Sequence, residues 1–280
     1  MERFFKGWAK PGPIPNPDNQ NEVPPGETLD SLSGHFRIFQ LEDGHRYSTD
    51  DVLTAWYGTQ SCPSARKVLD LGSGIGTVGM LTAWRLQGAT FVTIEAQEES
   101  VRLARKSIKL NGLEDRYEIR QGDFREEDAL APEERFDLIL GSPPYFPIGS
   151  GILGNHPQKV ACRFELRGSI HDYCKTAAKH LDWGGVFSCV FPISPSNQAQ
   201  RVVDAAKNAG LCIIKQRNVV FREGDEPLIG LFIMMHSDQV PAHISGRTFL
   251  ESPLTIRDSK GQATHEYLLV KMTMGLPPTN

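Results

Sequence analysis

Closely paired cysteines are missing from this chain. Its five cysteines (Cys62, Cys162, Cys174, Cys189, Cys212) are odd in number and form no Cys-x-x-Cys motif. That excludes a disulfide framework and a zinc-ribbon site, and no metal is expected. Cys189 and Cys212 fall in apolar runs and read as small core residues. Long apolar runs are missing too. The longest, Leu228 to Met235, is interrupted by Gly230 and falls far short of the ~20 residues that cross a bilayer. Met1 to Lys10 has no apolar stretch of signal-peptide length, so a reduced, cytoplasmic setting away from membranes is expected. No charge of one sign dominates either. The net charge of −4 gives no global attraction to nucleic acid. Its distribution is uneven, with 14 Lys/Arg against 11 Asp/Glu from residue 142 onward. A mildly basic half of this kind is compatible with phosphate contacts nearby.

What is present is a repeated strand–helix alternation. Residues 1–35 are expected to form a flexible N-terminal extension, since 10–35 are rich in Pro, Gly, Asn, Asp and Glu. A catalytic-size domain is expected at 36–237, and 238–280 form a tail that packs on or near the core. Strands are predicted at Lys67–Leu71, Phe91–Glu95, Tyr117–Arg120, Phe136–Leu140, Val186–Phe191, Leu211–Phe221 and Leu228–His236. Helices are predicted at 77–87, Glu98–Leu110, 171–181 and Ser196–Asn208, with Ser196 as an N-cap. Residues 146–167 read as a long loop, the kind that usually carries function. The fold class is α/β: a doubly wound, mostly parallel, seven-stranded, Rossmann-like sheet with one antiparallel strand from the terminal hairpin. Ligands bind such sheets at the carboxyl ends of the strands.

The candidate chemistry falls at those ends. Asp70-Leu71-Gly72-Ser73-Gly74-Ile75-Gly76 closes the first strand and opens a helix, and glycines there let the backbone approach a ligand. The dinucleotide pattern G-x-G-x-x-G would place its third glycine at position 77, which is Thr. Glu95 ends the second strand, where a carboxylate can accept both hydroxyls of a ribose. Asp123 and Phe124, after the third, offer an acceptor and an aromatic wall to an adenine. Ser142-Pro143-Pro144-Tyr145 follows the strand Phe136–Leu140. Two prolines remove two backbone donors and stiffen the turn, leaving carbonyls free to accept hydrogen bonds. A planar, NH2-bearing target such as a nucleobase fits there; a strand-terminating turn with a packed tyrosine fits the same residues.

The Gly loop, strand-end Glu95 and Asp123-Phe124 together resemble the class I S-adenosylmethionine-dependent methyltransferases. Beside them, Ser142-Pro143-Pro144-Tyr145 resembles the (Asn/Asp/Ser)-Pro-Pro-(Tyr/Phe/Trp) motif of the members that methylate planar amines. In such enzymes, acceptors at the Ser142 side chain and the Pro143 carbonyl would hold the two N–H bonds, while Tyr145 stacks on the base. Gly44 to Asp51 resembles a segment of the bacterial tRNA(Val) adenine methyltransferase family that closes over the donor. This resemblance adds Tyr47 and Asp50 to the cofactor-binding candidates Asp70, Gly72, Gly74, Gly76, Glu95, Asp123, Phe124 and Ser142. Ala161 to Glu165, Arg222 to Gly224 and Leu254 to Leu269 also resemble that family. The implied enzyme is a monomeric N-methyltransferase using S-adenosylmethionine on adenine N6 of tRNA or another structured RNA, such as rRNA. Ser in place of Asn at 142 leaves cytosine N4 open, and a protein glutamine amide or a non-catalytic partner role remain as alternatives. Lys159, Arg163, Arg167, Lys175 and Lys179 are candidates for RNA phosphates. His171-Asp172-Tyr173 reads as surface or cap, and Trp183 as packing at a helix end.

Overall fold

The computed structural model describes residues 3–15, 22–149, 156–244 and 246–279. Short strands β1 (Phe4–Phe5) and β2 (Trp8–Ala9) pair with each other, as do β3 (Glu27–Ser31) and β4 (Arg37–Leu41). After helix α1 (Thr49–Ser61) come β5 (Lys67–Leu71), α2 (Thr77–Arg85), β6 (Thr90–Glu95), α3 (Glu98–Leu110) and β7 (Tyr117–Gln121). Then follow β8 (Phe136–Gly141), α4 (Pro157–Arg163), α5 (Ile170–His180), β9 (Leu181–Pro192) and α6 (Ser196–Asn208). The chain ends in β10 (Leu211–Arg222), β11 (Ile229–His236), β12 (Phe249–Arg257) and α7 (His265–Thr273).

The central sheet has the order β12-β10-β11-β9-β8-β5-β6-β7. It is the expected doubly wound sheet: β11 runs antiparallel to both neighbours, and the other ladders are parallel. The expected seven strands are joined by an eighth, β12. Its Pro253 is tolerated because β12 is an edge strand. Side chains alternate between the two faces, as a period of two demands. Val68, Leu138, Leu140, Val186, Val190, Leu231 and Ile233 pack with α1 to α3. Leu69, Leu71, Ile139, Phe187, Cys189, Phe191 and Phe232 pack with α5 and α6. Strand order reverses between β5 and β8, which opens a crevice at their carboxyl ends.

Four expectations need correction. Residues 27–31 are a strand of a hairpin and not part of a flexible extension. That hairpin is pinned by α3: Ser107 Oγ accepts the Phe39 N–H at 2.9 Å, and the Asn111 amide exchanges hydrogen bonds with both backbone groups of Arg37. Residues 157–163 form α4, within what reads as a loop; Pro157 starts it and the buried Gln158 anchors it, donating to Ser100 Oγ at 3.1 Å. Gly151 and Gly154 of that loop lie outside the described residues. Trp183 packs at no helix end but stands 80% exposed within β9. Ser196 is the first residue of α6, whose N-cap is Pro195. The tail is tied to the body through β12, through Tyr57 Oη donating to Glu251 at 2.8 Å, and through the buried Val270 and Met274.

Candidate active site

A cleft opens over the carboxyl ends of β5 and β6. The glycines at 72, 74 and 76 all have positive φ, at 59°, 56° and 84°, which favours residues without a Cβ. A Cβ on Gly72 would lie 2.1 Å from Tyr173 Oη, so the turn has no room for one. Nothing lies within 4 Å of the corresponding point on Gly74, which faces open space. Glu95 braces the turn: its two carboxylate oxygens accept the N–H groups of Gly74 and Gln97 at 2.8 and 2.7 Å. Asp70 accepts the Gly79 N–H at 2.9 Å and so ties β5 to the first turn of α2.

Asp51, Asp70 and Glu95 line this cleft, and Asp50 stands beside Asp51 on α1. Burial pushes the Asp70 carboxyl up to about 8; the Gly79 N–H opposes this, and the charges of Asp51 and Glu95 add to it. Burial also lifts Asp51 to about 7 and raises Asp50 and Glu95. Among the described residues, none of the four makes a salt bridge. A bound cation would draw these carboxyls back to their charged form, so the cleft suits one. It encloses ≈ 810 Å³ of empty space when its open mouth is included.

A second cleft adjoins the first across Ser142, which follows β8. Pro143, Tyr145, Asp50, Phe146 and Arg163 line it, while Pro144 faces the first cleft. Tyr145 is held at both ends. Its hydroxyl donates to Asp50 at 2.6 Å, and its ring meets Phe191 edge-on at 5.9 Å and 78°. His45, Asp51, Ser142 and Cys162 line both clefts, so the two join there. Burial, with Arg163 and Lys159 nearby, lowers the His45 pKa and keeps the imidazole neutral. The Ser142 hydroxyl is buried at this junction without a hydrogen-bond partner. A buried orphan of this kind calls for an explanation.

Most of the expected site residues come together, with some exceptions. Asp70, Gly72, Gly74, Glu95, Asp123, Phe124 and Ser142 line the first cleft. Tyr47 lines neither: its hydroxyl donates to the Ser31 carbonyl at 2.9 Å. Gly76 lines neither and instead caps α2, leaving room for Met80 and Ala104. Asp50 belongs to the second cleft. Asp123 turns its carboxylate to Arg125, whose Nε reaches the two oxygens at 2.9 and 3.0 Å. Asp172 does cap α5, in a capping box with Ser169. Tyr173, in contrast, is buried at 3% exposure and meets Phe124 edge-on at 4.7 Å as a wall of the first cleft. Sequence reasoning missed Asp51, Tyr173, His45 and Cys162. Asp51 and His45, within Gly44 to Asp51, and Cys162, within Ala161 to Glu165, carried the signal of a matched segment; Tyr173 carried none.

Comparison with known proteins decides the family. The family model for the methyltransferase small domain matches residues 59–194. A tRNA1(Val) (adenine(37)-N6)-methyltransferase of Shewanella amazonensis is 32% identical over 196 residues, 69% of this chain and 80% of that protein. The chain belongs to this methyltransferase family. A second member, from Bacteroides thetaiotaomicron, is 28% identical over 194 residues, 69% of this chain and 77% of that one. The crystal structure of a "predicted O-methyltransferase" from Agrobacterium tumefaciens superposes with a TM-score of 0.58 at 20% identity, covering 82% of this chain and 98% of that one, and shares the fold. This methyltransferase is thus an S-adenosylmethionine-dependent N-methyltransferase. Among the described residues no cluster could hold a metal ion, and no helix is long and apolar enough to cross a membrane.

Proposed function

We propose that this methyltransferase methylates the exocyclic N6 of an adenine in tRNA, with S-adenosylmethionine bound in the first cleft and the adenine in the second. The observation that carries the reading is the orphaned Ser142 hydroxyl, buried where an acidic cleft meets an aromatic-walled one. The chain's residues fit the donor. Buried carboxylates without counter-ions favour its positive charge. Each Glu95 oxygen has spent one lone pair on a backbone N–H and keeps another for a ribose hydroxyl. The open space beside Gly74 leaves the Gly loop accessible, and Phe124 walls the place where Asp123 would receive an adenine amino group, in competition with Arg125. When bound, S-adenosylmethionine supplies an electrophilic methyl group on a positively charged sulfur.

The rest follows from the second cleft. The lone pair of an aromatic amine is delocalised into its ring and attacks poorly. Ser142 Oγ and the Pro143 carbonyl accept the amine hydrogens and favour a pyramidal nitrogen. Tyr145, fixed by Asp50 and Phe191, offers a ring for stacking, which is worth ~1–3 kcal/mol per base in single-strand binders. Alignment of nitrogen with methyl carbon then supplies much of the rate. A stacked adenine must be flipped out to reach this depth. Exposed Lys159, Arg163 and Arg167 on and after α4 are placed to meet phosphates beside the mouth. The names of the relatives support tRNA as the substrate class. The test is transfer of tritiated methyl to separated tRNA, DNA and protein fractions. Label is expected in tRNA; label in protein alone contradicts the reading.

A further inference from the structure

Four side chains stand where the two clefts join, and they are not equal in chemistry. His45 is held neutral beside Arg163 and Lys159. Cys162 is a protonated thiol, its pKa pushed up to about 12 mainly by burial. Ser142 offers one hydroxyl oxygen without a partner. Asp51 is different. Its Oδ2 accepts the Ser48 N–H at 2.8 Å as part of the capping box of α1, and among the described residues its second oxygen has no hydrogen-bond partner. The capping bond fixes the carboxylate's direction, so it is oriented by the helix and open at the junction. Asp50, one residue earlier, is committed to Tyr145 and faces the second cleft alone. Asp70 and Glu95 lie in the first cleft alone.

We propose that Asp51 is a catalytic residue: it takes the proton that methyl transfer releases from the target amine. This rests on the function proposed above. The nitrogen lone pair forms the new bond to the methyl carbon while the carbon–sulfur bond breaks, and that electron pair stays on the sulfur. The nitrogen then carries a positive charge and one proton too many. Asp51 takes this proton, becomes a neutral carboxylic acid and returns the proton to solvent after product leaves. The secondary amine is left neutral. Ser142 Oγ and the Pro143 carbonyl orient the two N–H bonds, and neither is basic enough to keep a proton, which leaves that role to Asp51.

The electrostatics agree. Burial lifts Asp51 to about 7, where a general base works best at neutral pH. The groups around it are Asp50 on its own helix, Asp70 from β5, Tyr47 and His45 before α1, Tyr145 after β8 and Cys162 on α4. Of these, Asp50 opposes ionisation of Asp51, and Asp51 and Asp70 oppose each other. A cation in the first cleft offsets them and favours the carboxylate.

The test is Asp51→Asn, which keeps an oxygen for the Ser48 N–H and loses the basicity, with Asp51→Glu as the restoring variant. Expected are a fall in kcat for tRNA of about 10²-fold or more, a donor Kd within about threefold of wild type, no loss of thermal stability, and partial recovery in Asp51→Glu. Wild-type kcat/KM, measured at subsaturating donor and tRNA, rises with pH to a plateau above about 7, and Asp51→Asn abolishes that limb. A kcat for Asp51→Asn within about threefold of wild type overturns the proposal. So does a donor Kd weakened more than about tenfold with kcat kept at saturation, which makes Asp51 a donor ligand instead. Wild-type protein that yields no N6-methyladenosine overturns the function first, and this inference with it.

Discussion

Replacing Gly72 with alanine probes the joint between the Gly loop and the cleft wall. The residue sits at φ 59°, where a Cβ costs ~1–2 kcal/mol through contact with the following carbonyl. The new methyl would stand 2.1 Å from Tyr173 Oη and 3.2 Å from Cζ. The ring cannot retreat: it is 3% exposed, packs against Phe124 at 4.7 Å, and already fills the space that a Cβ on Gly141 would take. Overpacking of this kind costs ~1–3 kcal/mol. Together the loss is ~2–5 kcal/mol. Tyr173→Phe removes the atom at 2.1 Å and leaves only the tight 3.2 Å contact, so Gly72→Ala/Tyr173→Phe should recover ~1–3 kcal/mol relative to additivity. Gly74→Ala, at φ 56° with nothing within 4 Å, isolates the backbone cost alone. Urea unfolding followed by circular dichroism measures all four proteins. A Gly72→Ala loss below ~0.5 kcal/mol, the range of ordinary surface changes, refutes the packing argument. So does strict additivity with Tyr173→Phe.

Other outcomes follow from the same geometry. Tyr145→Phe deletes the 2.6 Å bond to buried Asp50, so stability falls by ~1.5–3 kcal/mol and methyl transfer slows, while calorimetry finds donor affinity unchanged because Tyr145 lines only the second cleft. Glu95→Gln sets an amide N–H against the Gly74 or Gln97 N–H; donor Kd should weaken about tenfold or more, equivalent to ~1.4 kcal/mol, and an unchanged Kd removes Glu95 from the donor site. Asp70 and Asp51, raised from 3.8 to about 8 and about 7, keep protons that the unfolded chain releases. The folded state thus binds more protons between about pH 4 and 8, and stability declines as pH rises through that window. Asp70→Asn, which retains an oxygen for the Gly79 N–H, should flatten the decline in unfolding midpoints; an undiminished slope assigns it to other groups.

The parts of this fold that a sequence displays are those governed by local physics. Apolar β-branched runs such as Lys67–Leu71 and Phe136–Gly141 read as buried strands because both faces are covered. The Gly loop and the Pro-Pro turn were legible because positive φ and missing N–H groups demand particular residues. The β3–β4 hairpin was not, since Glu27–Ser31 holds one aliphatic residue and is stabilised by Ser107 and Asn111 from α3. Strand β12 was hidden in the same way: it is polar, contains Pro253 and depends on pairing with β10. Tyr173 and Asp51 were obscured because their roles come from burial and from which cleft they face. Neither property has a spacing in the chain.

The central claim concerns one nitrogen atom. Nucleoside mass spectrometry of unmodified tRNA incubated with purified protein and S-adenosylmethionine identifies it directly. The function proposed from the site around Ser142, Pro143 and Tyr145 and from the relatives' names predicts N6-methyladenosine, lost in Ser142→Ala/Asp51→Asn. N4-methylcytidine as the sole product, or methyl groups found only on protein glutamine, would contradict it.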